Sequence, residues 1–504
     1  MVGFLSVIKE LNARFTELMR LNYVSTLLGW DQQVNMPKSE GATMGRSEQI
    51  ALIEAISHRK LISKKTGELI KKAENQPNLN LIDSAILREA KRKYDKAIKI
   101  PIELVTEIAK TASLGHQAWE KSREKSDFSI FQPYLEKMVN LQRKYAERLD
   151  IGPTLYDSLT DIYEPEAKSE WISNIFKEIK PKLVKILNKL ESSDLNKPNQ
   201  EILKRKYDPE KQWKLSMEII KKLDFDFKKG RQDKSVHPFT ASVSSMDTRI
   251  TTRIWEKYLP ACLFGSIHEC GHALYEMGFM EEIHDTFLAD GSSLGIHESQ
   301  SRLWENIVGR SKEFWNYWYP TLQKYFPENL KNYPEHEFYR SINAVKPSFI
   351  RVEADEVTYG LHIILRFEIE KELINNNLRV SELPELWNTK MEELLNIIPP
   401  NDAQGVLQDV HWSGGAFGYF PTYTLGNLYA SQIYSDVLKK NPDLPDDFKN
   451  GNFNNLLNYL RENIHQYGRI YRPLDLIKRV TGEELNSNCY IKYLETKFYP
   501  IYGI

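Results

Sequence analysis

The sequence predicts a mostly α-helical chain with one small β-sheet placed directly before its most informative helix. Three observations predict it. Long segments carry apolar residues at three- and four-residue intervals, a short central stretch alternates in twos, and the helical texture returns beyond Leu303. At 504 residues the chain exceeds the size at which a single hydrophobic core keeps growing, so two lobes or one elongated multi-part domain with a cleft are expected.

Taken in order, FLSVIKELNARFTELMRLNYVSTLLGW and SEWISNIFKEIKPKLVKILNKLESS read as amphipathic helices, and the first half is mainly helical. Breaks fall at NMPKSEG, at AENQPNLN and at IGPTLYDSLTDIYEPEA, where Gly152, Pro153 and Pro165 interrupt the period. From Gly230 to about Arg253, SVHPFTASVSSMDTRITTR is rich in Ser, Thr and Val and reads as short strands. The change of texture places an approximate boundary within one continuous fold: 1–229 as a helical part forming one wall of a groove, and 230–504 as the part with the strands, the key helix and the C-terminal helices. The later helices are interrupted by NIIPPNDAQG and by the aromatic, Gly-rich loop HWSGGAFGYFPTYTLGN. That loop follows no strand and is no nucleotide-binding fingerprint.

Composition excludes several classes. Lys and Arg number 68 against 69 Asp and Glu, a formal net charge of −1, so nothing draws the chain toward nucleic acid or an anionic membrane. Lys9, Glu10 and Arg14 interrupt any apolar signal core, and no stretch approaches the roughly 18–20 apolar residues of a membrane span. A cytoplasmic protein is expected. Cys262, Cys270 and Cys489 are too few and too scattered for a disulfide framework or a Cys-based zinc module.

In CLFGSIHECGHALYEMGF, His268 and His272 stand four residues apart, which on a helix sets both imidazoles on one face within reach of one ion. Glu269 projects beside them. Two neutral imidazoles to hold a metal and an adjacent carboxylate to take a proton from the attacking water are what metal-assisted hydrolysis needs. The plainer reading is two surface histidines on an ordinary helix. A chance His-Glu-x-x-His is expected in only about one or two chains per hundred of this composition.

A third ligand must come from another element, because Glu276 lies one turn too far along the same helix. Asp285, Asp290, Glu298 and Glu305 are the candidates. Glu298, in GIHESQSRLWENIVG and 26 residues after His272, leaves room for a loop and an antiparallel second helix. Its plainer reading is a helix N-terminal carboxylate facing the macrodipole. His297 points to a different face if Glu298 points inward, and is at best a supporting group.

The chain resembles the M32 family of metallocarboxypeptidases, the carboxypeptidase Taq type. The resemblance runs from LGWDQQVNMP (28–37) through YDSLTDIYEP (156–165), HPF (237–239), DTRIT (247–251), HECGH (268–272) and HESQ (297–300), then IRVEADEVTYGLHIILR (350–366) and GVLQDVHW (405–412). It implies a mostly helical, saddle-like subunit with a deep central groove, paired as a homodimer, that removes C-terminal residues from peptides with broad tolerance. Position by position, His268, His272 and Glu298 match the metal ligands and Glu269 the general base. Zinc is the expected ion and cobalt the alternative, one per subunit.

For the tetrahedral oxyanion, His411 and Tyr423 are the nominees, with Tyr419 a weaker one; an aromatic packing loop is the plainer reading of all three. A carboxypeptidase must also bind a free α-carboxylate, which a guanidinium fork does with two parallel hydrogen bonds. Arg351 matches the family arginine for that role, against a plain ion pair with Glu353 or Asp355. Arg249 is a second cation, with pairing to Asp247 in competition, and His237 either lines the groove or is a turn residue before proline. Asp355, Glu356, His362 and Arg366 are expected to form a buried supporting network. If the strands offer an open edge, a peptide can add to it as an extra strand. Two other readings stand beside this one: an oligopeptidase that cuts internally with the same metal, and a helical scaffold around a structural metal.

Overall fold

The first helix begins where the sequence offers a cap. The Ser6 hydroxyl accepts the Lys9 N–H, and Val7–Val34 then runs 28 residues unbroken. Helices Glu40–Leu61, Lys64–Glu74, Leu81–Lys99, Ile102–Lys125 and Gln132–Leu149 follow, so the breaks at NMPKSEG and AENQPNLN fall where the period fails. The computed structural model describes residues 6–193, 197–284 and 286–504. IGPTLYDSLTDIYEPEA departs from expectation, because Leu155–Tyr163 forms a helix inside it. Thr154 and Asp157 close a reciprocal capping box there, a start signal that the neighbouring Gly and Pro residues obscure. Ser169–Glu191 is one helix, with Pro181 inside it.

The predicted strands form a three-stranded sheet of β1 (Gly230–Lys234), β2 (Thr240–Ser244) and β3 (Asp247–Thr252), in the order β1-β3-β2. β1 runs parallel to β3 and β2 antiparallel to it, with Thr240 opposite Ile250 and Ala241 opposite Arg249. β2 is therefore an edge strand. Alternation sends Thr240 and Ile250 to one face and Ala241 and Arg249 to the other. The helix Leu259–Glu276 follows at once, and the Thr252 hydroxyl donates to the Cys262 carbonyl at 3.2 Å across the junction.

The chain packs as two units, each drawn from three segments. The first comprises Met1–Ile98, Asn199–Ile342 and Ile433–Glu484; the second comprises Lys99–Pro198, Asn343–Gln432 and Leu485–Ile504. The change of texture near residue 230 lies within the middle segment of the first unit. In the second, Glu356–Ile374 is buried on nearly every side, a helix apolar around most of its circumference. Asp355 caps it by accepting the Val357 and Thr358 N–H groups. HWSGGAFGYFPTYTLGN is a loop only in its first part, since the helix Pro421–Lys440 starts at its proline and carries Tyr423 in the first turn. No helix among the described residues is long and apolar enough to cross a membrane.

Candidate metal centre

Leu259–Glu276 is held by apolar contact on most of its surface: Cys262, Leu263, Phe264, Ile267, Cys270, Ala273 and Leu274 are all buried. That grip fixes the remaining stripe. His268 and His272 share it, with ring centroids 5.0 Å apart and planes nearly perpendicular. Glu298 arrives from Leu294–Arg302, whose start is set by Ser293 accepting the Ile296 N–H. The two helices meet at Gly271, where a β-carbon would stand 2.7 Å from the Ser301 α-carbon and 2.8 Å from the Gln300 carbonyl oxygen. Only glycine permits that approach.

The approach brings Glu298 Oε2 to 3.5 Å from His272 Nε2 and 3.9 Å from His268 Nε2. All three donor atoms lie within 4.8 Å of one another. A tetrahedral ion with bonds of about 2.1 Å sets its donors about 3.4 Å apart, so two imidazoles and one carboxylate oxygen so disposed fit a divalent ion. Glu298 Oε1 accepts from Arg302 Nε at 2.7 Å, and Oε2, the oxygen nearest both imidazoles, accepts a longer hydrogen bond from the Ser301 hydroxyl at 3.4 Å.

Each imidazole is anchored through its far nitrogen. His268 Nδ1 lies 2.9 Å from Glu305 Oε2, and Glu305 Oε1 accepts from Arg310 at 3.1 Å. His272 Nδ1 lies 2.6 Å from His297 Nδ1, and His297 Nε2 lies 2.6 Å from Glu276 Oε1. A neutral His297 donating to Glu276 accepts at Nδ1; His272 then donates from Nδ1 and keeps Nε2 bare. Carboxylates behind ligating histidines fix the tautomer and raise ligand basicity. Glu305 lies on the turn Leu303–Val308, where the helix widens to π-helical geometry, a local irregularity frequent at functional sites.

The two imidazoles sit in different electrostatic surroundings. Burial pushes His272 down to about 3, so its imidazole is neutral. For His268 burial acts in the same sense, but the Glu305 hydrogen bond and the nearby Glu298 carboxylate raise it overall. Burial alone would raise Glu298, yet the Arg302 guanidinium and the two histidines hold it well below the usual range, ionised as a ligand must be. Glu269 is raised by burial, with His268 and Thr240 opposing, so its carboxylate has the added proton affinity a general base uses. The Thr240 hydroxyl donates to Glu269 Oε2 at 2.6 Å, joining the edge strand to the Glu269 carboxylate.

Other candidates fall elsewhere. Asp290 pairs with Arg469 at 2.8 Å, Glu305 and Glu276 stand behind the histidines, and Asp285 lies outside the described residues. Arg249 holds Asp247 through Nε and Nη2 at 3.0 and 2.8 Å and lies over the Trp30 ring, on the sheet face opposite Thr240. His237 is exposed in the turn between β1 and β2, its carbonyl accepting from Ser235 at 2.6 Å.

In the second unit Arg351, His411, Tyr419 and Tyr423 come together. Arg351 is buried and pairs with neither Glu353 nor Asp355: Nε and Nη2 donate to Asp409 Oδ1 at 3.1 and 2.9 Å, and Nη1 to the Tyr359 hydroxyl at 3.0 Å. Arg366 donates to Asp409 Oδ2 at 2.6 Å and to Gln408 at 2.7 Å. Two guanidinium groups thus share one carboxylate. The Arg351 guanidinium lies 5.2 Å from the Tyr423 ring centre, the Tyr419 and Tyr423 hydroxyls are 3.0 Å apart, and His411 stacks on Tyr419. Burial pushes His411 down to about 4, leaving it a neutral donor.

Of the expected network, Arg366 and His362 are buried, Asp355 serves as a cap, and Glu356 pairs instead with Lys497. Sequence reasoning missed Thr240, Arg302 and Asp409. The first follows HPF directly and the last lies in GVLQDVHW, the positions where a signal was available.

The pattern of the carboxypeptidase Taq (M32) metallopeptidase family matches residues 10–498. The chain is 39% identical over 492 residues to carboxypeptidase 1 of Bacillus subtilis, covering 97% of this chain and 98% of that protein. It is 38% identical over 492 residues to thermostable carboxypeptidase 1 of Pyrococcus furiosus, with the same coverage. The crystal structure of an M32 carboxypeptidase from Deinococcus radiodurans superposes with a TM-score of 0.96 at 35% identity, over 99% of this chain and 100% of that one. The chain belongs to the carboxypeptidase Taq (M32) metallopeptidase family and is a metal-dependent carboxypeptidase that acts on peptides.

Proposed function

We propose that the enzyme removes C-terminal residues of varied side chain from unblocked peptides, with His268, His272 and Glu298 holding the ion and Glu269 as general base. Zinc is the proposed metal, cobalt the alternative. The observation that carries the assignment is the anchored donor set: two Nε2 atoms and one carboxylate oxygen around a common point, with an acidic side chain next to them. Two nitrogens and one oxygen donor form a three-ligand catalytic set, which leaves a position open, whereas structural zinc is closed by four protein ligands. A divalent ion bound there supplies Lewis-acid polarisation and water activation.

The chain's own residues divide the remaining work. Glu269 takes the proton of the attacking water at its carboxylate and returns it to the departing amine. Thr240, hydrogen-bonded to Glu269, restricts that carboxylate to one orientation. β2, as the sheet's edge, receives the peptide backbone without reading side chains, which suits broad tolerance. Arg351 is proposed to receive the terminal carboxylate: its buried guanidinium shares Asp409 with Arg366 and lies against the Tyr359 hydroxyl and the Tyr423 ring. His411 and Tyr423 are proposed as donors to the oxyanion, and Tyr419 as a substrate contact. Arg249 and His237 remain proposals in the substrate-binding role only.

A homodimer in the cytoplasm completes the proposal, the location supported by the three free thiols. Two matched peptides, one with a free and one with an amidated C-terminus, test the reading. Release of the last residue from the free acid alone is expected, whereas equal cleavage of both favours an internally cutting oligopeptidase.

A further inference from the structure

Beside the far end of β2 the first unit holds an open apolar groove of about 390 Å³, which none of the chemistry above uses. Met19, Tyr23, Val24 and Leu27, on one side of the helix Val7–Val34, face Val243 and Met246 across it. Val24 is 46% and Met246 52% exposed, and Arg20, Ser244, Ser245 and His284 complete the lining, so the groove offers a small, mainly apolar seat open to solvent. The position of the groove along the strand identifies what covers it.

β2 begins at Thr240, whose hydroxyl touches Glu269, and ends at Ser244, which lines the groove. A peptide added antiparallel to this edge runs the other way. Its C-terminal end then lies beside Thr240 and the reacting carboxylate, and its upstream residues pass Val243 and Ser244. A parallel peptide would present its N-terminus to Glu269, the wrong end for a carboxypeptidase. At about 3.3 Å per residue, the three or four residues from Thr240 to the groove span roughly 10–13 Å.

We propose that this groove is a subsite for an apolar side chain three to four residues upstream of the substrate residue beside Thr240. The enzyme therefore prefers peptides of at least four or five residues that carry Leu, Met or Phe at that position, while remaining tolerant at the C-terminal residue itself. The inference rests on the carboxypeptidase reading and on edge-strand addition. It adds a recognition element remote from the metal ligands.

The test is steady-state kinetics of the metal-loaded enzyme on N-acetylated alanine peptides of three to seven residues, with Leu or Ser placed in turn at the fourth, fifth and sixth positions from the C-terminus. Leu at the fourth or fifth position is expected to raise kcat/KM about tenfold over Ser, chiefly through KM, as one side chain in an apolar pocket does. Val24→Asp and, separately, Met246→Ser should bring that Leu-to-Ser ratio toward one. Both positions are exposed, so neither change opens a core cavity.

Equal rates for Leu and Ser at every upstream position, with tripeptides still hydrolysed, overturn the subsite and leave the carboxypeptidase reading intact. Failure to release C-terminal residues from any peptide overturns that reading instead. If Val24→Asp alters the oligomeric state while the Leu preference persists, the groove belongs to a second copy of the chain and the proposal fails.

Discussion

Gly271 and Ser301 mark the close approach of the two helices that carry the proposed metal ligands, with 2.7 Å between the Ser301 α-carbon and a β-carbon placed on Gly271. Backbone lines both sides of that contact, so no flexible side chain can yield. Gly271→Ala is expected to push Leu294–Arg302 outward and carry Glu298 away from His272. Overpacking of this kind costs about 1–3 kcal/mol, so a lower Tm should accompany weaker metal retention during dialysis against a chelator. Retention equal to the parent enzyme would show that some other contact sets the 3.5 Å separation of Glu298 and His272.

Glu269→Gln preserves the shape of the site and removes the proton acceptor. Metal content should remain stoichiometric while kcat falls by about 10²–10⁴ or more, the range of a lost acid-base group. Metal analysis and peptide turnover on the same preparation decide it; full turnover would assign the proton transfer to another residue.

The supports behind the two histidines differ in kind, a carboxylate directly behind His268 and an imidazole relay behind His272. Glu305→Gln and His297→Phe should each weaken metal binding about 10–100-fold in a chelator competition. The cobalt-loaded enzyme should also show a shifted visible spectrum in each variant, a change that loss of stability alone does not produce. Identical affinity and spectrum in Glu305→Gln would mean that His268 is oriented by packing.

Glu370 carries a pH signature of its own. Fully buried, its carboxyl accepts from the Tyr156 hydroxyl, the Trp412 indole and the Gly418 N–H, and burial pushes it up to about 7 from an ordinary 4.5. Between those values the folded chain keeps a proton that the unfolded chain releases, so stability from this group is lost as pH rises from about 4.5 through about 7. Replacement by Gln should flatten that part of a Tm-against-pH curve. Parallel curves for parent and variant would remove Glu370 as the origin of the slope.

The convergence of His268 and His272 was legible because it is local: two histidines four residues apart need only helical spacing to share a face. Spacing left Glu298 as one of four acidic candidates, and the resemblance to the M32 family singled it out; the fold places it beside both imidazoles. Arg351 illustrates what was not legible. Its near neighbours Glu353 and Asp355 suggested a local ion pair, whereas the fold delivers Asp409 from 58 residues away. Thr240 escaped notice for a similar reason, because strand pairing and not sequence spacing brings its hydroxyl to Glu269. The helix Leu155–Tyr163 was hidden by flanking Gly and Pro residues, whose breaking signals outweighed a Thr-x-x-Asp cap.

With Arg351 in its proposed role, two arginines leaning on a single aspartate also shape what happens after each cut. Hydrolysis frees an amino acid and leaves the shortened peptide with a fresh terminus of the same charge. A receptor tuned to that charge greets the product as it greeted the parent. Erosion residue by residue follows, slowed by the accumulating amino acid, which competes for the same cationic seat.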